Sequence, residues 1–375
     1  MRKLFFVIVM LSVTKLLVAQ ENNEWKTQTF FTGYFALNGE YINGLPSFEE
    51  VKGKNIGFNI GEASILSTIQ PLEKLKINSV ITYKPRLELS DIIAELSGEW
   101  QFTDQFLVKA GRFLLPLHPA NSQYYAPMNY GVALPIFVTN HSLFPLNING
   151  ININGKFDLS DNFQLAYDFS GGQYSKMSRN EAGILGFFGR DGVYLNEDVN
   201  QVNSMITKIE NTENGKYPKY FGTGGKFNFK FYNMLQLEIA AFYSQEELTK
   251  KPDPQTTYET DVDFLSYGTN VIFNYNKFNM KASAWYGNEK PEDKQHFEEY
   301  NIELYYGELS YSFDKITPYG KVEIINGRSK DWTRLTGGVN FRPLFETTFK
   351  LEYHRYLQDY VDDFDVIQIS AVYSF

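Results

Sequence analysis

The sequence contains no cysteine. That excludes a disulfide-stapled secreted domain, a thiolate metal site and a lipid anchor attached through cysteine. Histidine is scarce: His118, His141, His296 and His354 are the only four. None belongs to an H-E-x-x-H pair, and neither a G-x-S-x-G elbow nor a P-loop occurs, so no catalytic role, metal or cofactor is expected. After the first twenty residues there is no apolar run of the ~18 residues that a membrane helix needs. Bases are short against acids, 35 to 44, which makes nucleic acid an unsuitable partner. Repeats, low-complexity tracts and linkers are missing too, so a single domain is expected.

The chain opens with Arg2 and Lys3, continues with the apolar "LFFVIVMLSV" and reaches small or polar residues at "LLVAQ". This is the pattern of a secretory signal peptide over residues 1–20, with the mature domain over 21–375. Aromatics are abundant at 17%, with 26 Tyr and 32 Phe, while hydrophobic residues make up only 43%. A secretory signal, many aromatics and no membrane helix together point to an outer-membrane β-barrel.

Periodicity supports that class. In "FDVIQISAVYSF", Ile367, Ile369, Ala371, Tyr373 and Phe375 alternate with Val366, Gln368, Ser370, Val372 and Ser374. "FNMKASAWYG", "LQLEIAAFYS", "FQLAYDFSG" and "IIAELSGEWQF" alternate in the same way. Period two means strands with two different faces. Short polar turns, at Thr103, Ser160, Tyr232, Asn274, Phe313 and Arg342, take turns with longer connections, among them 113–147, 172–219 and 245–261. Short periplasmic turns and long extracellular loops are the barrel arrangement. The expected fold is therefore all-β: a transmembrane, antiparallel, up-and-down barrel of about 16 strands, with both termini on the periplasmic side. Shifts in apolar phase predict bulges near Gly61 and Gly150. The first strand follows the signal closely, leaving no room for an N-terminal plug domain. Val199, Val202, Met205, Ile206 and Ile209 recur at helical spacing within 172–219 and predict a short capping helix.

If the polar face of each strand lines the lumen, Lys76, Lys109, Lys156, Lys226, Lys230, Lys281, Lys321 and Lys350 project inward. So do Glu95, Glu99, Asp158, Asp168, Glu238, Glu323 and Glu352. The lining is then close to neutral, which suits small hydrated polar solutes. The same groups could instead brace the barrel internally. The acidic surplus falls in the outward loops, where carboxylates face outer-membrane lipid and lipopolysaccharide.

Two features make the chain resemble bacterial outer-membrane porins of the 16-stranded type. The last strand ends in Phe375 with Tyr373 two places earlier, the terminal signal through which barrel proteins engage the barrel-assembly machinery. "LVKAGRFLLPL" runs through Gly111, Arg112 and Phe113 into a proline-bearing loop. It is similar to a stretch of the porins related to the phosphate-selective type, including those of Bacteroidota. The resemblance implies a water-filled channel in the outer membrane, assembled as a homotrimer or within a larger outer-membrane complex, whose third long loop folds into the barrel. The ladder of Arg and Lys that a phosphate channel uses is missing from that loop.

The third long loop is also the least ordinary stretch of the sequence. From Phe113 to Gly150 there is no Asp, Glu, Lys or Arg. Such a segment belongs against other protein rather than in water. His118, Asn121, Tyr124, Tyr125, Tyr130, Asn140 and His141 are its candidate contact residues, either at a pore constriction or at a docking surface. The leading expectation is a porin-like channel for passive diffusion of small polar solutes. The rival is a non-conducting accessory barrel of a larger outer-membrane complex, whose loops dock protein.

Overall fold

The computed structural model describes residues 25–43, 56–83, 92–119, 121, 124–135, 143–175, 219–253, 256–327, 331–358 and 363–375. The signal peptide, the predicted capping helix, Asn140 and His141 lie outside the described residues.

Sixteen strands form one closed antiparallel barrel in which each strand pairs with its neighbours in sequence and the first pairs with the last. They are β1 (Gln28–Asn43), β2 (Ile56–Leu72), β3 (Leu75–Tyr83), β4 (Ile93–Thr103), β5 (Phe106–Leu114), β6 (Asn147–Ser160), β7 (Phe163–Ser175) and β8 (Lys219–Phe231). The second half comprises β9 (Leu235–Asp253), β10 (Thr256–Tyr275), β11 (Phe278–Pro291), β12 (Tyr300–Tyr311), β13 (Ile316–Gly327), β14 (Trp332–Phe341), β15 (Thr347–Gln358) and β16 (Phe364–Ser374). Closure satisfies every strand edge, the condition for backbone polar groups to cross hydrocarbon. The seam is tight: Gly33 and Phe375 exchange backbone hydrogen bonds of 3.0 and 2.9 Å, and the Phe375 ring lies where a Cβ on residue 33 would be.

The outward faces carry the apolar belt. Leu96, Ile151, Phe169, Ile239, Leu351 and Ile369 are all exposed outside the barrel, a placement that only lipid makes favourable. Aromatic rings mark both rims. Phe102, Phe106, Tyr275, Phe313 and Phe341 lie at the short-turn end. At the other end, Tyr243, Tyr305 and Tyr353 donate to Asp263, Glu303 and Asp365. Tyrosine suits that boundary because its ring is apolar and its hydroxyl is not. The short turns are closed by left-handed residues, Tyr232 and Asn233 in one, Asn276 and Asp314 in two others. Asn and Asp tolerate this conformation better than most residues.

Two expectations need correction. The 245–261 stretch is not a long loop. β9 and β10 extend as a hairpin to Asp253 and Thr256. The stretch is polar on both faces in sequence, so the apolar alternation that marks strands vanishes there. The phase change at Gly150 is not a bulge either, because the β5–β6 and β6–β7 registers run through it without a shift. Instead Ile148 faces inward and is fully buried, while Ile151 and Ile153 face outward. The bulge near Gly61 is present: Ala36 pairs with Glu62 and Leu37 with Ile60. A further one, unforeseen, sits at Ala94, where Val80 pairs with Glu95 and Ile81 with Ile93.

Four adjacent strands, β5 to β8, carry glycine in one register row: Gly111 opposite Gly150, Gly150 opposite Gly172, and Gly172 opposite Gly222. A Cβ on Gly111, Gly150 or Gly172 would run into backbone of the adjoining strand, and Gly111 has a φ of +127°. The strands approach here more closely than side chains would permit.

Candidate functional site

The described residues of the connection 115–146 lie against the inner face of the barrel, and the wall holds them by backbone hydrogen bonds and by apolar packing. Lys350 Nζ donates to the carbonyls of Ala126 (2.6 Å), Asn129 (2.8 Å) and Gly131 (2.9 Å). Two residues along β15, Glu352 Oε2 accepts from the amides of Val132 and Ala133, both at 2.6 Å. Its other oxygen accepts from Lys321 at 2.9 Å. Arg334 bridges Glu323 (2.6 Å from Nε) and the Leu134 carbonyl (2.9 Å), and Asn340 donates to the Tyr130 carbonyl at 3.0 Å. On the other side of the seam, Glu62 accepts from the Ala126 amide at 3.2 Å and from the Tyr34 hydroxyl. On β10, Ser266 donates to the Leu143 carbonyl at 2.5 Å.

Apolar packing completes the attachment. Phe113, Leu115, Leu117, Leu143, Phe144 and Leu146 form one cluster with inward residues of the wall, including Phe242, Phe264, Trp285, Ile302, Leu304 and Ile325. Phe144 and Trp285 rings are 4.9 Å apart, and Trp285 Nε1 donates to Asn270 at 3.0 Å. The inner face therefore changes character along single strands. On β12 it runs Ser310, Glu308, Tyr306, Leu304, Ile302 from the short-turn end outward. Polar residues face the lumen at one end, and apolar ones face the loop at the other.

The wall from β3 to β8 is different. Lys76, Lys156 and Lys230 face the lumen and make no ion pair among the described residues. Lys109 lies 3.5 Å from Glu95 and 3.8 Å from Glu99. Lys226 pairs with Glu238 at 3.0 Å. Asp168 accepts from Asn152, Asp158 accepts from Gln164 at 2.6 Å, and a cavity of about 420 Å³ opens against Asn154, Lys156, Asp168 and Asn228.

Of the loop residues singled out in the sequence, His118, Asn121 and Tyr124 are buried. His118 Nε2 lies 2.8 Å from Ser283 Oγ, and the ring meets the edge of Tyr306. Asn121 donates to the Leu115 carbonyl, tying the loop to itself. Tyr125 and Tyr130 are half-buried; Tyr130 stacks on Tyr319 and receives the Lys281 ammonium at 5.4 Å from its ring centre. The inward charges divide into two groups. Lys321, Lys350, Glu238, Glu323 and Glu352 are buried, Lys281 is paired with Glu308 at 2.8 Å, and the remainder border open space.

Sequence reasoning missed Arg334 and Glu62, two main anchors of the loop, and the buried acids Glu246, Glu289 and Glu308. With them, acids outnumber bases on the inner face. A signal for Arg334 existed, since it occupies an inward position in "WTRLTGG" two places from Thr336. Glu62 was masked by the bulge beside it, which reverses the parity of β2. His354 is buried between Thr336 (2.9 Å), Gln368 (3.1 Å) and Glu352 (3.4 Å), and so supports a loop anchor.

On the outer side, the residues from 292 to 299 form a tight connection rather than an open acidic arm. Asp293 accepts from the amides of Gln295 and His296, and its carboxyl lies 2.7 Å from His296 Nδ1. That hydrogen bond with the His296 side chain, more than anything else, holds the Asp293 carboxyl below its ordinary value. Among the described residues, no group of three or more His, Asp or Glu is placed to hold a metal ion.

The fold is that of a multi-pass outer-membrane β-barrel. Solved structures share it at low sequence identity. The anion-selective porin from Comamonas acidovorans matches with a TM-score of 0.60 and 10% identity, over 93% of this chain and 100% of that one. OmpT, an outer membrane protein of Vibrio cholerae, in a trimer form, matches with a TM-score of 0.59 and 10% identity over 94% and 100%. The outer membrane channel DcaP of Acinetobacter baumannii matches at 0.53 and 10% over 94% and 99%. No protein-family model matches the chain, and no curated protein matches it in sequence.

Proposed function

We propose that the protein is a porin-like channel of the outer membrane, through which small polar solutes diffuse passively past the inward loop. The observation that carries this reading is the division of the inner wall. The loop is bound to β10–β15 through Lys350, Glu352, Arg334 and Ser266, whereas the short-turn ends of β4–β8 present lysines, carboxylates and amides to open space. A lining of both charge signs favours hydrated solutes without strong ionic selection. The fold shared with OmpT in its trimer form supports a homotrimer as the assembly. Within this reading, residues 1–20 direct export, Phe375 engages the assembly machinery, and Gly111–Arg112–Phe113 ties the chain to porins of the phosphate-selective type.

The rival, an accessory barrel whose uncharged loop docks a partner, is disfavoured by the loop's own bonding. Its described residues hydrogen-bond to the barrel that contains them.

Planar-bilayer recording of the purified protein tests the proposal. Stable KCl conductance is expected, and deletion of residues 119–140 should raise it severalfold. A barrel that folds yet passes no current, with a partner that co-purifies, would overturn the channel reading in favour of the accessory one.

A further inference from the structure

We infer that Met128 is the side chain that narrows the passage and sets its selectivity. This rests on the channel reading and deepens it to a single specificity-determining residue, one that the sequence did not single out.

Among the described residues of the connection 115–146, Met128 alone is exposed, at 64%. Its neighbours explain why. Ala126–Met128 form a single 3-10 turn, closed by the amides of Met128 and Asn129 on the Tyr125 carbonyl at 2.9 and 3.3 Å. The carbonyls of Ala126, Asn129 and Gly131 converge on Lys350 Nζ, and the Ala126 amide donates to Glu62. The wall thus takes hold of the turn on both sides of residue 128. The fit behind it is close, since a Cβ on Gly131 would collide with the Glu352 carboxylate. With its backbone turned to the wall, the turn has only its apex left to point the other way. That apex is Met128.

The polar side chains of the turn are withdrawn as well. Asn129 is buried, donating to the Ala133 carbonyl at 3.0 Å and accepting from the Gly131 amide at 3.2 Å. The Tyr125 hydroxyl is buried too. What the turn shows to the lumen is therefore hydrocarbon. A single exposed apolar side chain on an outer surface is ordinary. On a segment anchored everywhere else to the inside of a barrel, it stands where solutes pass. Methionine is flexible and uncharged. It fills the opening without fixing its shape, and it adds no charge that would select ions.

The test exploits the absence of cysteine from the chain. In Met128→Cys the thiol is unique, and a methanethiosulfonate reagent converts it to a mixed disulfide with release of methanesulfinate. The intact variant is recorded in a planar bilayer under a KCl gradient while the reagent is added. The expected result is a stepwise fall in current when either a cationic or an anionic group is attached, with reversal potentials that move in opposite directions. Met128→Lys and Met128→Glu should split in the same way without reagent, and Met128→Ala should raise the conductance. Complete labelling, verified by mass, with neither step nor shift overturns the inference and leaves the channel reading standing. So does a thiol that fails to react in the open channel. If Met128→Cys does not fold, the charged pair decides, and equal reversal potentials in Met128→Lys and Met128→Glu overturn the inference. Absence of any KCl current through the unaltered protein is a different failure: it removes the channel reading, and the inference with it.

Discussion

Between β9 and β15 the inward side chains hold the loop, with Trp285, Phe264 and Ile302 packed on its apolar residues and Lys350, Glu352 and Arg334 bonded to its backbone. Between β3 and β8 the same inward parity carries Lys76, Asn154, Lys156 and Lys230, which border open space. Both arcs are built from the same alternating strands, and both contain Lys and Glu. What differs is whether the charges are dry. A buried Glu352, fully shielded beside Lys321, is part of a protein interior. A partly exposed Glu99 near Lys109 borders the open lumen. One barrel thus encloses a core and a water-facing wall side by side, and charge by itself does not distinguish them.

The sharpest way to break the contrast is to remove one partner from the dry side. Glu352→Ala leaves Lys321 and two backbone amides without their acceptor. Losing one member of a buried pair costs about 3–5 kcal/mol. The expected outcome is a marked fall in the temperature of heat-modifiable gel migration, together with noisier, larger conductance as the loop loosens. Next comes Trp285→Ala, which empties the centre of the apolar cluster against Phe144. A buried aromatic truncated to alanine costs about 3 kcal/mol or somewhat more. Its effect should appear in urea unfolding, and the lost Asn270 hydrogen bond adds to it. On the wet side, Lys230→Ala should change stability by no more than about 0.5 kcal/mol while altering single-channel conductance measurably. If Lys230→Ala destabilised the barrel as much as Glu352→Ala, the two arcs would not differ as described.

The sequence carries the barrel more clearly than its interior. Strand number, alternation and turn positions are legible because lipid imposes apolar residues on one face of every span. That imposition stops at the membrane rim, and so the β9–β10 extension past Gln245 reads as a loop. Within the barrel the inner partner is either water or loop, and no local rule says which. Ile148 and Leu304 face inward like Lys156 and Lys230, yet meet the loop rather than water. The clue was there in strands such as β12, where the inner face turns apolar, through Leu304 and Ile302, toward the outer end. The uncharged stretch from Phe113 to Gly150 pointed to a segment that packs on protein. It could not name Glu62 or Arg334 as anchors, since those contacts join residues about 64 and 200 positions apart.

The wall grips the loop mainly by carbonyls and amides, and this has a consequence for how the protein can change over evolutionary time. Lys350, Glu352, Arg334, Asn340 and Ser266 recognise backbone atoms of Ala126, Asn129, Gly131 to Leu134, Tyr130 and Leu143. Backbone atoms are the same whatever residue bears them. Substitutions at loop positions outside the apolar cluster therefore keep these bonds as long as the path of the backbone is kept. On the channel reading, loop side chains outside the apolar cluster are free to diversify without rebuilding the barrel around them.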